Sequence, residues 1–252
     1  MSQRPTIGPV AVSPIIYGSM RLEPARFDRA AAARVLIAAL DRGITTVHCS
    51  SEYATFEHYC TALADARKAR PAIAITHVVK LATPHYHEDA ISPAAFETKL
   101  AMYRDKLGAD CIDIVQWMLR YDLKDEPGRR AIYARDKDML ADCVATLKAR
   151  GWMRACVGFP YTVGFAQDFA ADDWHDGFAL YVNANETEYL PIAVAGLAKR
   201  KATLAIRPLA AGALGADATA AVRFALAQPG VAGAVISANS EAHLDAALVG
   251  AR

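Results

Sequence analysis

The sequence lacks most of the features that would assign it at a glance. No stretch reaches the roughly 20 consecutive apolar residues that span a bilayer. The opening MSQRPTIGPVAVSP has no apolar signal-peptide core. A cytoplasmic protein without membrane contact is expected. Charge of either sign is not in surplus: the net charge is +1 at pH 7, which leaves no basic footprint for nucleic acid. Cysteine is scarce and odd in number, five in all, without a CxxC pair. Neither a disulfide framework nor a zinc knuckle follows, and most of these cysteines are expected to be small buried fillers. The one metal set worth naming, His48, His77 and Glu186, comes from separate segments and no HxH or HExxH spacing joins its members, so no metal site is expected. No GxGxxG follows the first strand candidate. No repeat, linker or low-complexity run divides the chain.

What is present is a rhythm. The chain has 252 residues, 54% of them hydrophobic, enough for a sizeable core. Short β-branched runs alternate with longer alanine-rich amphipathic segments. After a small hairpin candidate around Pro9–Val12, strands are expected at 15–18, 44–50, 72–79, 111–118, 154–160, 178–184, 203–209 and 231–237. Helices are expected at 28–42, 56–69, 93–107, 131–150, 163–171, 187–200, 217–227 and 240–249. End signals support several of these: Gly43 and Gly108 at helix C-termini, Ser92-Pro93 at the start of the third helix, and Ser240 with Glu241 at the start of the eighth. Eight βα units in one domain over residues 1–252 predict a (β/α)8 TIM barrel, since each parallel strand needs a crossover helix to return the chain.

In such a barrel the chemistry gathers at the C-terminal ends of the strands. Those ends carry Tyr17, Gly18 and Ser19; His48, with Tyr53 five residues on; Thr76, His77 and Lys80; Gln116, Met118 and Arg120; Phe159 and Tyr161; Asn183, Asn185 and Glu186; Arg207; and Ser237 and Asn239. Hydrogen-bonded His and Tyr groups at a strand end are where proton transfer is commonly arranged. The plainer reading makes Lys80, Arg120 and Arg207 rim charges paired with Asp122, Glu186 or Glu188, and His77 a satisfied core histidine. Cys49 should point away from His48 along an extended strand.

Seven segments in order, GSMRL (18–22), DRGITTVHCSSEYATFE (41–57), LGADCIDIVQWM (107–118), LKARGWMRACVGF (147–159), VNANE (182–186), RPLAAGALG (207–215) and VISANSEAHLDAAL (235–248), resemble those of the aldo-keto reductases. The resemblance implies a barrel that binds NADP(H) in extended form. It also implies a tetrad of Asp, Tyr, Lys and His in which the tyrosine donates a proton as hydride leaves the nicotinamide. Tyr53 matches the tyrosine. His48 stands at the aspartate position and Met118 at the histidine position. The lysine position falls on His77 or, with the register shifted by three, on Lys80. The substrate-binding candidates are Met118, Trp117 and the strand-end cations Arg120 and Arg207, and the cofactor-binding candidates are Gly18, Ser19, Met20, Leu209, Gly212, Ser237, Asn239 and His243. Other grip positions are replaced: Pro160-Tyr161 for a Ser-Asn pair, Ala184 for a glutamine, Ile206 for an aromatic, His243 for an arginine and Ala247 for an asparagine.

Three functional readings stand open. One is an NAD(P)H-dependent reductase of small carbonyl compounds, using Tyr53 with Lys80 or His77. Another is a lyase, dehydratase or isomerase with no nicotinamide cofactor, in which His48, Tyr53 and His77 exchange protons while Arg120 and Arg207 hold an anionic small molecule. The last is a barrel serving as a binding or regulatory subunit.

Overall fold

Parallel neighbours demand a crossover after every strand, and this chain supplies one each time. The computed structural model describes residues 5–252, so residues 1–4 of the expected domain lie outside the described residues. Its elements run β1 (Ile15–Gly18), α1 (Arg29–Asp41), β2 (Thr46–Ser50), α2 (Phe56–Ala69), β3 (Thr76–Ala82), α3 (Pro93–Leu107), β4 (Ile112–Met118), α4 (Glu126–Ala149), β5 (Met153–Gly158), α5 (Val163–Ala171), β6 (Gly177–Tyr181), α6 (Leu190–Ala198), β7 (Ala202–Ile206), α7 (Ala218–Ala227), β8 (Val231–Ile236) and α8 (Glu241–Gly250). The strands pair in chain order, and β8 closes on β1 through Ile15↔Ala234 and Tyr17↔Ile236. This is the (β/α)8 TIM barrel expected from the rhythm.

Alternation along each strand builds two cores. Ile16, Val78, Ile114, Met118, Ala155, Val157, Ala179 and Leu204 fill the barrel interior. Ile7 and Val10, bridged antiparallel as the hairpin signal suggests, pack onto that interior. They do so at the N-terminal end, where Arg154 at the start of β5 reaches the Pro9 carbonyl. The outward residues, including Val47, Cys49, Val79, Leu81, Val115 and Trp117, meet the helices. Gly158 has a specific task there: a Cβ would stand 2.2 Å from the Phe169 ring, so its absence lets α5 lie close on β5.

The capping signals act as read. Ser92 and Ser240 accept hydrogen bonds from Ala95 N and His243 N, and Gly108 takes the left-handed conformation, φ 55°, at the end of α3. Helix α4 begins five residues before its expected start, because Asp125 caps it and Pro127 occupies its first turn. The larger difference is at β3, expected at 72–79 and found at Thr76–Ala82. The ladder with β2 begins only at Thr46↔Thr76 and runs on to Ser50↔Lys80. Ile73 and Ile75, which made the earlier stretch look like strand, instead pack from outside onto the helix-side core. All five cysteines are free thiols. Among the described residues no helix is long and apolar enough to cross a membrane.

Candidate active site

The shift of β3 decides which side chains share the barrel mouth. Residues 78, 80 and 82 point inward and residues 77, 79 and 81 outward, so Lys80 enters the mouth and His77 leaves it. The expectation that His77 works beside Tyr53 is therefore corrected. His77 is buried behind the wall, where its Nε2 lies 2.7 Å from Arg67 Nη2 of α2. Burial, and then Arg67, push its pKa down to about 3. The metal set His48, His77 and Glu186 fails for the same reason of parity.

The mouth holds a cavity of about 610 Å³, within the roughly 300–1,000 Å³ usual for small-ligand sites. His48, Tyr53, Lys80 and Gln116 line one part of it, and Arg120 and Tyr86 stand beside them. The Lys80 ammonium lies 5.0 Å from the centre of the Tyr53 ring. Burial lowers the Lys80 pKa to about 8; the nearby Arg120 cation lowers it as well, and Glu52 pulls the other way. Burial raises the Tyr53 phenol well above its ordinary value, so it is protonated at neutral pH. His48 points inward from β2 and its Nε2 lies 3.0 Å from Gln116 Oε1. With that oxygen accepting, Nε2 carries the ring proton. Burial, reinforced by Lys80, lowers the His48 pKa to about 4. His48 is thus a neutral hydrogen-bonding group at pH 7, and neither a carboxylate substitute nor an imidazolium.

Arg120 is tied differently from the simple rim pairing, whereas Arg207 takes one of the carboxylates that pairing named. Arg120 meets Glu52, whose other oxygen is 3.2 Å from His85 Nε2. Its guanidinium also lies 5.0 Å from the centre of the Tyr86 ring, and its charge partly offsets the upward push of burial on the Tyr161 phenol. Tyr161 Oη in turn donates to Met118 Sδ at 3.4 Å. Arg207 pairs with Glu186 at 3.3 Å and lies over the Tyr181 ring.

Two substrate assignments are corrected by the alternation of β4. Trp117 faces outward against Tyr133, Phe169 and Trp174, with its indole N–H on the Thr83 carbonyl. Met118 faces inward but is fully buried under Tyr161, outside the cavity lining.

Of the cofactor candidates, Gly18, Met20, Leu209, Gly212 and Ser237 line the same cavity. Ser19 is completely buried below it, Asn239 is half-buried away from it, and His243 is exposed on α8. None of these last three lines the cavity. The chain reaches the mouth in strained form: Tyr161, Arg207, Ala210 and Ala211 all have left-handed backbones, φ 47–64°. Such conformations cost on the order of 1–3 kcal/mol each and concentrate at functional sites.

Of the other lining groups, Gln116, Phe159 and Tyr161 were expected at strand ends but were given no role, and Arg21, Tyr86 and Tyr181 were not expected there. Gln116 carries the parity of Met118 and was findable from it. Arg21, Phe159, Tyr161 and Tyr181 sit at or just past strand ends. Tyr86 comes from the β3–α3 connection and carries no local signal.

Comparison with known proteins agrees with this architecture. The sequence profile of the aldo/keto reductase family matches residues 14–154. No curated protein matches the chain. Among solved structures, an aldo-keto reductase described as putative from Pseudomonas aeruginosa shares 22% identity over 99% of this chain and 94% of its own, with a TM-score of 0.75. One from Bacillus halodurans in its holo form shares 16% over 99% and 91%, TM-score 0.75. One from Klebsiella pneumoniae, in complex with NADP and acetate, shares 17% over 99% and 90%, TM-score 0.72. With more than half of its length matched by the family profile and the closed barrel in place, this chain belongs to the aldo/keto reductase family.

Proposed function

We propose that the protein is an NAD(P)H-dependent reductase of a small carbonyl compound, with Tyr53 as proton donor and Lys80 as the cation that supports it. The observation that carries this reading is the joint placement of Tyr53 and Lys80 in one cavity whose other side is a backbone shelf. A buried phenol that stays protonated is a store of one proton, and a cation within about 5 Å stabilises the phenolate left behind. A carbonyl oxygen within hydrogen-bond reach of Tyr53 would take that proton, and solvent would restore it.

The cavity suits the cofactor that the family implies. Gly18, Gly212 and Ser237 border it, Arg207 supplies a cation, and nothing stands within 4 Å of where a Cβ on Gly212 would be. Open backbone beside a cation is suited to a pyrophosphate. When bound, the nicotinamide supplies the hydride that the carbonyl carbon receives. His48, neutral and tied to Gln116, would act as a fixed hydrogen-bonding wall beside Tyr53.

The cofactor-free acid–base reading loses support from the same geometry. Of its three proton-exchanging groups, His77 lies outside the wall and His48 is too weak a base at neutral pH.

Fluorescence titration of the purified protein with NADPH and NADH is expected to give micromolar binding. NADPH oxidation by a panel of aldehydes and ketones is expected to fall about 10²- to 10⁴-fold in Tyr53→Phe, the usual range for losing a positioned acid. No binding at millimolar cofactor, or undiminished turnover by Tyr53→Phe, would end this reading.

A further inference from the structure

We infer that the carbonyl substrate carries a carboxylate, which docks on Arg120 beside Tyr53. The inference rests on the reductase reading above and adds the chemical class of its substrate. It begins from unmet demand. Lys80, Arg120, Arg21 and Arg207 all line the cavity, and no aspartate or glutamate does. Lys80 has no ion-pair partner among the described residues. The Arg120 Nε is buried without a hydrogen-bond partner, although its side chain is only 13% exposed. The Arg120 Nε is closed off from the cavity, but a largely buried ammonium such as Lys80 without a counter-charge is costly, and an anion entering the cavity is the natural remedy.

The charge count favours one negative charge over two. Glu52 is the carboxylate nearest the pair, and it is already committed to Arg120 and His85. Lys80 and Arg120 against Glu52 leave one positive charge beside Tyr53, which one carboxylate balances and a phosphate dianion exceeds. With Nη2 on Glu52 and Nε buried, Arg120 has Nη1 left to present to a carboxylate, a charge-assisted single contact beside the Lys80 ammonium. The Glu52 contact and the Tyr86 ring hold the guanidinium in place before ligand arrives.

A paired set of substrates tests this. Rates of NADPH oxidation are compared for 3- and 4-carboxybenzaldehyde and for the methyl esters of the same acids, which keep the aldehyde and remove the charge. Benzoate binding is measured by calorimetry without cofactor, with phenyl phosphate as the competing anion. The expected result is at least a tenfold preference in kcat/KM for one acid over its ester, collapsing towards one in Arg120→Leu and partly kept in Arg120→Lys. Benzoate is expected to bind wild type and to weaken at least tenfold in Arg120→Leu. Circular dichroism confirms that the variants fold, and Arg120→Lys guards against a loss caused only by unpairing Glu52. Equal rates for acid and ester would overturn the inference and leave the reductase reading standing. Benzoate binding that depends on Arg120, with no NADPH oxidation by any aldehyde, would support the anion site and overturn the reductase reading. Phenyl phosphate binding tenfold tighter than benzoate would overturn the choice of carboxylate.

Discussion

Removing the charge of Lys80 should weaken catalysis and strengthen the fold, and both magnitudes follow from where the ammonium sits. The ammonium lies 5.0 Å from the Tyr53 ring centre; if the phenolate charge is placed at that separation, an effective dielectric of about 20 makes the support from Lys80 at most about 3 kcal/mol. That is roughly two hundredfold in rate. Lys80→Met is therefore expected to lower kcat/KM for carbonyl reduction by up to that factor. In wild type the same dependence appears as a pH limb. With its pKa held at about 8, Lys80 is about nine-tenths charged at pH 7 and about one-tenth charged at pH 9. Activity should fall about tenfold between those pH values, and the limb should vanish in Lys80→Met. Stability moves the other way. The unfolded lysine keeps a proton up to about pH 10.4, whereas the folded one releases it near 8. Between those values the unfolded chain binds more protons, so stability rises with pH across the window. Below pH 8 the buried charge costs about 3 kcal/mol, and methionine removes that cost. Urea unfolding at pH 7 should show Lys80→Met more stable by up to that amount. A variant that is less stable than wild type, or that keeps both its rate and its alkaline limb, would refute the reasoning.

Two further outcomes follow from the histidines. His48→Asp restores the carboxylate that the family resemblance implies. An ion pair at about 6 Å and an effective dielectric of about 20 is worth about 3 kcal/mol, so the alkaline limb of activity should rise by about one to two pH units, while His48→Asn leaves it near 8; a pH–rate profile for each variant decides this. Acid should destabilise the fold early, because His48, His77 and His175 are all held neutral by burial, with pKa values of about 4, 3 and 3. Their unfolded counterparts protonate near 6.5, so stability is fully present above about pH 6.5 and declines as pH falls towards 3, by up to about 1.4 kcal/mol per pH unit for each histidine. Urea midpoints measured from pH 7 to 5 should fall in wild type and fall less steeply in His77→Gln and His175→Gln.

The barrel was legible because burial on both faces of a parallel strand leaves a mark that survives substitution: apolar β-branched runs, spaced by helices with proper caps. Helices α2, α3 and α5 fall on their expected bounds for that reason. The site was less legible because it depends on parity, and parity is lost when a strand is misplaced by a few residues. At β3 the apolar stretch AIAI precedes the hydrogen-bonded ladder, so hydrophobicity pointed three to four residues too early and brought forward His77 in place of Lys80. At β4, where the strand was placed within one residue, Gln116 and Met118 share a face and Trp117 opposes them by the rule of alternation alone. Contacts such as Glu52–Arg120 or Tyr86–Arg120 join connections distant in sequence, and no local pattern encodes them.

The replacements around Tyr53 form a consistent set when counted as charge. Where the family resemblance implies an aspartate beside the lysine, this chain has His48, neutral at pH 7 because burial and Lys80 both oppose its protonation. That exchange removes one negative charge from a buried cavity that keeps Lys80 and holds Arg120 nearby. The histidine implied at the end of β4 is Met118, which offers its sulfur to Tyr161 and no second acid. A site so altered holds its lysine near pKa 8, at the edge of its charged range. An arriving anion would restore what the lost carboxylate supplied, extending the cationic form of Lys80 to pH values above 8 while a phenolate is to be supported. Ligand charge would then complete the catalytic group, which gives a physical reason for the charged side chains that line the cavity to be cations.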